Sequence, residues 1–152
     1  MQLSENFTLQ EMIDSQTAIR KNITEQFEPS DAVIQNLKKL CINVLEPLRE
    51  LLKAPIIVNS GYRCKRLNKA IGGATNSQHV EGKAVDIKVV GKSVDEVFEA
   101  IGNSGIIFDQ VISEFATKNS GWVHISFNSK GNRYEKLIAS KGTRGNTIYK
   151  II

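Results

Sequence analysis

The sequence predicts a single α+β domain in which helices come first and a mostly antiparallel sheet follows. The chain has 152 residues, which is enough for one domain with a hydrophobic core and too few for two ordinary ones. Apolar residues recur with helical spacing in the first third, whereas short alternating runs rich in Val, Ile and Phe dominate the remainder. We therefore treat residues 1–152 as one domain with N-terminal helices.

Two helices are expected in the N-terminal third. Thr8 and Glu11 have the spacing of a capping box, so a short helix should begin there. Pro47 lies inside a longer helical pattern and would remove one backbone hydrogen bond, which predicts a kink or a break near residues 43–46. Two separate helices are an almost equally good interpretation. The apolar positions of this longer pattern are Val33, Leu37, Leu40, Val44, Leu48 and Leu52.

The middle of the chain predicts a strand, a short helix and a second strand. Residues 55–59 are typical of a short buried strand, and residues 63–71 of a helix that ends at Gly72-Gly73. A polar loop then leads into residues 84–90, which alternate with the period of a strand. Because the Val and Ile residues of that strand share one face, Asp86 should point to the other.

The C-terminal third predicts one more helix and two strand pairs. Ser93 and Glu96 fit a second capping box, and apolar residues follow on one helical face. Residues 106–115 and 122–127 are strand-like runs joined by a short polar connection, which indicates an antiparallel hairpin. A further pair is expected from residues 136–140 and 147–152.

Composition argues against several classes of protein. The net charge of +4 would favour anionic partners, but lysines and arginines are scattered without interleaved aromatics, so we do not expect nucleic-acid binding. No segment approaches the run of about 20 apolar residues of a membrane helix. The first residues have neither a basic start nor an apolar stretch, so we expect no signal peptide and synthesis in the cytoplasm. Cys41 and Cys64 show no paired spacing and are expected to be free thiols.

The only two histidines, His79 and His124, together with Asp86 form a candidate metal site. Strand alternation places His124 away from the core face, as it does Asp86. A hydrolytic zinc centre needs three ligands of the His, Asp or Glu type and an open fourth position, and these residues supply that set. A loop that turns at Gly82 could bring His79 back beside Asp86.

An aspartate in the middle of a Val/Ile strand needs a cation or hydrogen-bond donors. A metal ion would satisfy Asp86, but a salt bridge to Lys83 or to Arg63 is a competing explanation. Each histidine alone is more often a structural residue than a ligand. The joint pattern favours a metal site well beyond its separate parts.

Several motifs occur together with a consistent spacing. They are Ser60-Gly-Tyr-Arg63, Leu67-Asn68, Gly72-Gly73, Ser77-x-His79-x-x-Gly82-x-Ala84-x-Asp86 and Trp122-x-His124. This pattern resembles the zinc D-alanyl-D-alanine carboxypeptidases and related bacteriophage cell-wall endopeptidases of the M15 peptidase family. The opening Leu3-Ser-x-Asn-Phe-Thr8 is similar to the start of the small, single-domain branch of that family.

The resemblance implies a fold of the hedgehog/D-Ala-D-Ala-peptidase type and zinc held by His79, Asp86 and His124. It implies that Arg63 pairs with a substrate carboxylate, for which a guanidinium fork is well suited. Ser77 is expected to hydrogen-bond a ligand or the substrate. The implied activity is zinc-dependent hydrolysis of an amide bond in the peptidoglycan stem peptide, at either the D-Ala-D-Ala or the L-Ala-D-Glu bond. We expect a monomer that reaches the cell wall by release or export through another route, as a phage lysis protein would.

The catalytic base departs from the pattern of the family. Several members carry an acid three residues before the last histidine, where this chain has Gly121. Glu114 is the expected substitute, because a hairpin would place it beside Trp122 and His124. Gln110 lies on the same face of that strand and is a candidate substrate-binding residue.

Two other functions remain open at this point. The glycine at position 121 is compatible with a non-catalytic zinc-fold module that binds cell-wall peptide, for example a phage structural component. Thiol chemistry with Cys64 as nucleophile is the other, although no neighbouring residue in the sequence orients a histidine toward it.

Overall fold

Six helices and one six-stranded sheet make up the computed structural model, which describes residues 1–152. The predicted α+β class with a mostly antiparallel sheet is confirmed. The helices are α1 Leu9–Ile13, α2 Gln16–Arg20, α3 Asp31–Leu40, α4 Glu46–Leu52, α5 Lys65–Ala70 and α6 Val94–Gly102. The strands are β1 Ile56–Ser60, β2 Ala84–Val89, β3 Gln110–Glu114, β4 Trp122–Ser126, β5 Glu135–Lys141 and β6 Thr147–Ile151. Two 3₁₀ turns lie at Thr24–Phe27 and Gln78–Glu81.

Helices α3 and α4 are joined without a break by a π-helical turn at Cys41–Leu45. Pro47 has no N–H to donate to the preceding turn, and the wider turn just before it accommodates that loss. The irregularity predicted near residues 43–46 is therefore confirmed, as a bulge within one helical segment. Both predicted capping boxes are also present, at Thr8 with Glu11 and at Ser93 with Glu96.

The strands are ordered β1-β2-β4-β3-β5-β6, and only β3 and β5 run parallel. Alternate residues of the central strands enter the hydrophobic core, where they meet the α3–α4 segment and α6. Burying these side chains supplies most of the free energy that holds the sheet to the helices. The strand residues in this core are Ile56, Val85, Ile87, Val89, Val111, Val123 and Ile125.

The opposite face of the sheet carries polar side chains in register across neighbouring strands. Asp86 of β2 lies opposite His124 of β4, and Trp122 of β4 lies opposite Glu114 of β3. Directly opposed residues of paired strands point to the same side. This face is therefore built to place polar groups side by side, as the alternation predicted.

The strand predicted at residues 106–115 is shorter than expected. Residues 106–109 lie outside β3, although Phe108 is buried in the core, and Phe115 ends the strand with a positive φ of 53°. An apolar sequence can thus pack on the core without pairing in a sheet.

No helix of the structure has the length and apolar character needed to cross a bilayer.

Gly82 makes the turn that returns the chain from the 3₁₀ turn to β2. Its φ is +72°, and a Cβ built there would lie 2.9 Å from the Val33 carbonyl oxygen. Gly72 has a similar φ of +77° but no atom within 4 Å of its Cβ position. Substitution of Gly72 tests the cost of the backbone conformation alone, whereas substitution of Gly82 adds the cost of the contact with Val33.

We expect Gly72→Ala to lower the free energy of unfolding by about 1 kcal/mol, the cost of left-handed backbone for a residue with a Cβ. Gly82→Ala should cost at least about 1–2 kcal/mol more, because it adds the contact with Val33. Denaturant unfolding of both variants measures the difference. Equal losses would show that the turn relaxes freely and that the Val33 contact does not matter.

Candidate metal centre

The structure brings His79, Asp86 and His124 together at one buried point on the polar face of the sheet. Each offers one ligand atom, and these atoms all lie within 4.8 Å of one another. Asp86 Oδ1 is 3.2 Å from His79 Nε2 and 3.1 Å from His124 Nδ1. Three residues predicted from sequence to share a metal ion are therefore close enough to do so.

His79 is oriented by the backbone around it. Its Nδ1 is 2.7 Å from the Gly61 carbonyl oxygen, which accepts only if Nδ1 carries the proton. Nε2 then faces Asp86 Oδ1: as an N–H it would donate to the carboxylate, and as a free lone pair it would bind a metal ion. The backbone N–H of Arg63 donates to the His79 carbonyl oxygen at 3.1 Å. The segment of Gly61 and Arg63 and the turn that carries His79 therefore hold each other in place.

This donor set fits a zinc ion. Zinc bonds of about 2.0–2.1 Å at tetrahedral angles place neighbouring ligand atoms about 3.3 Å apart, close to the two distances from Asp86 Oδ1. A histidine whose second nitrogen donates to a backbone carbonyl is the usual outer support of a metal ligand, and His79 has that support from Gly61. Zinc would therefore be held by His79 Nε2, Asp86 Oδ1 and His124 Nδ1.

Arg63 lies against the other oxygen of Asp86. Its Nη2 is 3.1 Å from Asp86 Oδ2, its Nε donates to Ser60 Oγ at 3.0 Å, and its Nη1 donates to Asn68 Oδ1 at 3.4 Å. The Arg63 side chain is only 14% exposed. The ion pair with Asp86 considered from the sequence is thus present, and the predicted contact of Arg63 with a substrate carboxylate stays a prediction.

Burial alone would raise the pKa of Asp86, because it removes water from the carboxylate. Hydrogen bonds with His124 and His79 outweigh burial and hold the pKa of Asp86 well below its usual range. Asp86 is therefore ionised whenever the protein is folded near neutral pH, which is the form a metal ligand requires.

Glu114 lies at the end of β3, directly opposite Trp122. Its Oε1 is 4.0 Å from His124 Nδ1, so the hairpin places it beside the ligand set, where the sequence predicted it. Burial raises the pKa of Glu114, and the charge of Asp86 raises it further. The positive charge of Arg63 acts against that rise. The indole N–H of Trp122 is buried and makes no hydrogen bond.

Gly121 has no room for a side chain. Its φ is +97°, and a Cβ would lie 2.7 Å from Ala116 Cα and 2.8 Å from the Glu114 carbonyl oxygen. Both neighbours are backbone atoms, which cannot move aside cheaply. An acid at position 121 is therefore incompatible with this loop, and the carboxylate near the ligands comes from the paired strand.

The other predicted site residues line the same cleft. Ser77 Oγ accepts from the His79 N–H at 3.2 Å, so it caps the 3₁₀ turn that carries His79. Gln110 Nε2 donates to Glu135 Oε1 at 2.6 Å. Both residues border the cleft that contains the three metal-ligand candidates and Glu114. Their contacts with substrate remain predictions.

The sequence did not predict that Arg133 and Tyr149 belong to the cleft. Arg133 follows the turn after β4, and Tyr149 lies on β6, yet both border the cleft. Neither carries a periodic or motif signal, because each reaches the cleft through the order of the sheet rather than through nearby sequence. Asp109, which binds Arg133 and Gln78, was likewise unrecognised.

The cysteines do not take part in the cleft. Cys64 is buried, caps α5 by accepting from the Leu67 N–H and packs against Ala18 and Ile23. Cys41 is also buried, and burial raises the pKa of its thiol to about 12. A buried thiol with these packing roles gives the thiol alternative no support.

Residues 5–126 match the family model described as Peptidase M15. The chain belongs to the M15 peptidase family. M15 peptidases are zinc-dependent, in agreement with the His-Asp-His group and its geometry. A search of curated proteins gives no match. The family resemblance inferred from the motifs is thus confirmed, and the domain is of the metallopeptidase type.

Asp86→Asn should lower zinc affinity by more than about 100-fold. Mutation of a residue that only hydrogen-bonds to a metal ligand lowers metal affinity by about 10–100-fold, and loss of a charged ligand should exceed that. Competition with a chromophoric chelator measures the affinity without any activity assay. Asp95→Asn, at an exposed site in α6, is the matched control and should bind zinc as the parent protein does. Unchanged affinity in Asp86→Asn would exclude Asp86 as a ligand.

Gly121→Asp should destabilise the fold by at least about 2 kcal/mol, because it combines backbone strain with contacts to fixed backbone atoms. Gly131→Asp is the matched control, since Gly131 also has a positive φ, of 139°, but no atom within 4 Å of its Cβ position. Thermal unfolding compares the two variants. A stable Gly121→Asp protein would contradict the crowding described here.

Proposed function

We propose that the protein is a zinc-dependent peptidase that hydrolyses an amide bond in the stem peptide of peptidoglycan. The observation that carries the proposal is a carboxylate, Glu114, held 4.0 Å from the His124 ligand atom in a cleft that also contains His79 and Asp86. The proposed ligands, the proposed base and an open cleft therefore occur together, as hydrolysis requires.

The residues divide the chemistry among themselves. Zinc, when bound, would polarise the scissile carbonyl and lower the pKa of a water molecule. Glu114 accepts the proton that this water loses as its oxygen bonds to the carbonyl carbon. Glu114 then returns the proton to the amine nitrogen as the C–N bond breaks. A raised pKa suits this role, because the carboxyl group must both take and give the proton.

The stem peptide is supported as substrate by the family and by charge. Its carboxylates suit a protein of net charge +4. The D-Ala-D-Ala and the L-Ala-D-Glu bonds are the two candidates. We place the reaction at the cell wall, reached by release or export through another route.

Mass spectrometry of muropeptides, after zinc-loaded protein has been incubated with purified peptidoglycan, tests this function. A chelated sample is the control. Chelator-sensitive loss of one alanine identifies a carboxypeptidase, and a cut within the stem identifies an endopeptidase. No cleavage across several wall types would contradict the proposal and favour a zinc-fold module that only binds wall peptide.

Glu114→Gln should lower kcat by about 100-fold or more, the usual contribution of a general base, while zinc affinity and peptide binding stay unchanged. The amide keeps the size of the side chain but cannot take a proton at neutral pH. Steady-state kinetics and chelator competition give the two readouts. Glu81→Gln, at an exposed glutamate of the 3₁₀ turn, is the control. Full activity in Glu114→Gln would assign the base elsewhere.

A further inference from the structure

The guanidinium of Arg63 is held by three contacts within the protein. All three of its nitrogens have partners, on Asp86, Ser60 and Asn68. One N–H on each Nη nitrogen remains free, but the side chain is only 14% exposed and is anchored to the buried Asp86, so turning it toward a substrate would weaken a buried ion pair. Its contacts are those of a residue that fixes the orientation of Asp86.

Arg133 is the one other cation that borders the cleft, and its side chain is 56% exposed. The buried carboxylate of Asp109 holds it on one side: Oδ1 accepts from Nε at 3.1 Å, and Oδ2 accepts from Nη2 at 2.8 Å. The Arg133 backbone N–H also donates to Asp109 Oδ1, at 2.9 Å. The side chain is therefore aimed before any ligand arrives.

The contacts with Asp109 leave one edge of the guanidinium free. Nη1 makes no hydrogen bond within the chain, and Nη2 retains a second N–H. These two groups form the end-on edge of the fork, which matches the two oxygens of a carboxylate. The charge of Glu135 also raises the pKa of Arg133, and Oε1 of Glu135 accepts from Gln110.

Arg133 belongs to a part of the chain that the family match does not include, because the match ends at residue 126. The same part supplies Tyr149, which lies opposite Ala139 of β5, itself opposite Glu114 of β3. Tyr149 thus shares a row and a face with the proposed base. The C-terminal segment is one wall of the cleft rather than an appendage.

We propose that Arg133 selects substrates by binding a carboxylate of the stem peptide, while Arg63 is a positioning residue for Asp86. This inference rests on the proposed function, since it names the substrate group that the same cleft recognises. It assigns specificity to residues 127–152 and metal binding to residues within the family match.

Three synthetic stem pentapeptides test the assignment. One has every carboxylate free, one has its C-terminal carboxylate converted to the amide, and one has the α-carboxylate of D-Glu converted to the amide. The parent protein should prefer a free carboxylate at one of these positions by about 10- to 100-fold in kcat/KM, the value of a charge-assisted bond. Arg133→Gln should lose that preference through KM, with kcat nearly unchanged.

Two further variants serve as controls. Arg144→Gln changes an exposed arginine in the β5–β6 turn, outside the cleft, and should keep the full preference. Arg133→Lys retains the charge without the fork and should recover only part of the preference. Zinc content and thermal unfolding of each variant establish that the proteins compared are folded and loaded.

Arg63→Gln gives the opposite pattern. Zinc affinity, measured by chelator competition, should fall about 10- to 100-fold, whereas the preference for a free carboxylate should persist in zinc-saturated protein. If Arg63→Gln instead abolishes the preference and leaves zinc affinity intact, Arg63 is the carboxylate receptor and the proposal is wrong. Retention of the preference in Arg133→Gln overturns it as well.

The outcomes also separate this inference from the proposed function. Cleavage of all three peptides at equal rates supports the function and overturns the role of Arg133. If the parent protein cleaves none of them, the proposed function fails. Calorimetric binding of the same peptides then tests the role of Arg133 in carboxylate recognition. Carboxylate-dependent binding that Arg133→Gln removes supports the recognition role, and any other binding result overturns it.

Discussion

The buried carboxylate of Asp86 is the constraint on which the rest of the site depends. A charge removed from water is unfavourable unless cations and hydrogen-bond donors surround it. Arg63 approaches one oxygen, and His79 and His124 approach the other. Because each partner comes from a different element, satisfying this one group fixes the β1–α5 connection, the 3₁₀ turn and β4 relative to β2.

The pKa values of two carboxyl groups in the same cleft are shifted in opposite directions: that of Asp86 is lowered and that of Glu114 is raised. Burial acts to raise the pKa of both Asp86 and Glu114. Hydrogen bonds from two histidines reverse the effect for Asp86, whereas the charge of Asp86 adds to it for Glu114. This separation matches the roles proposed here, a charged metal ligand in Asp86 and a proton carrier in Glu114.

Local periodicity predicted much of the fold and the centre of the site. Strand alternation alone predicted that Asp86 and His124 lie on the polar face. The predicted hairpin placed Glu114 beside Trp122, as the structure shows. These predictions succeeded because each depends on residues that are close in sequence or on one strand pair. The element that was misjudged, at residues 106–109, is apolar for packing rather than for pairing.

What the sequence could not predict depends on contacts without periodicity. The Gly61 carbonyl that orients His79 is a backbone atom, and any residue type would supply one. Arg63 could have paired with Asp86 or with a substrate, and only the positions of Ser60 and Asn68 show how its fork is used. Arg133 is brought to the cleft by Asp109, 24 residues earlier in the chain.

Because the site residues lie in rows across the sheet, the site is sensitive to the length of a strand and insensitive to the length of the β5–β6 turn. A residue inserted or deleted within β3 would exchange its two faces, so that Ser113 would border the cleft and Glu114 would enter the hydrophobic core. Residues added to the exposed β5–β6 turn would leave every register intact. Homologous chains that keep this chemistry can therefore vary in length at the β5–β6 turn, whereas the spacing from Gln110 to Glu114 must stay the same.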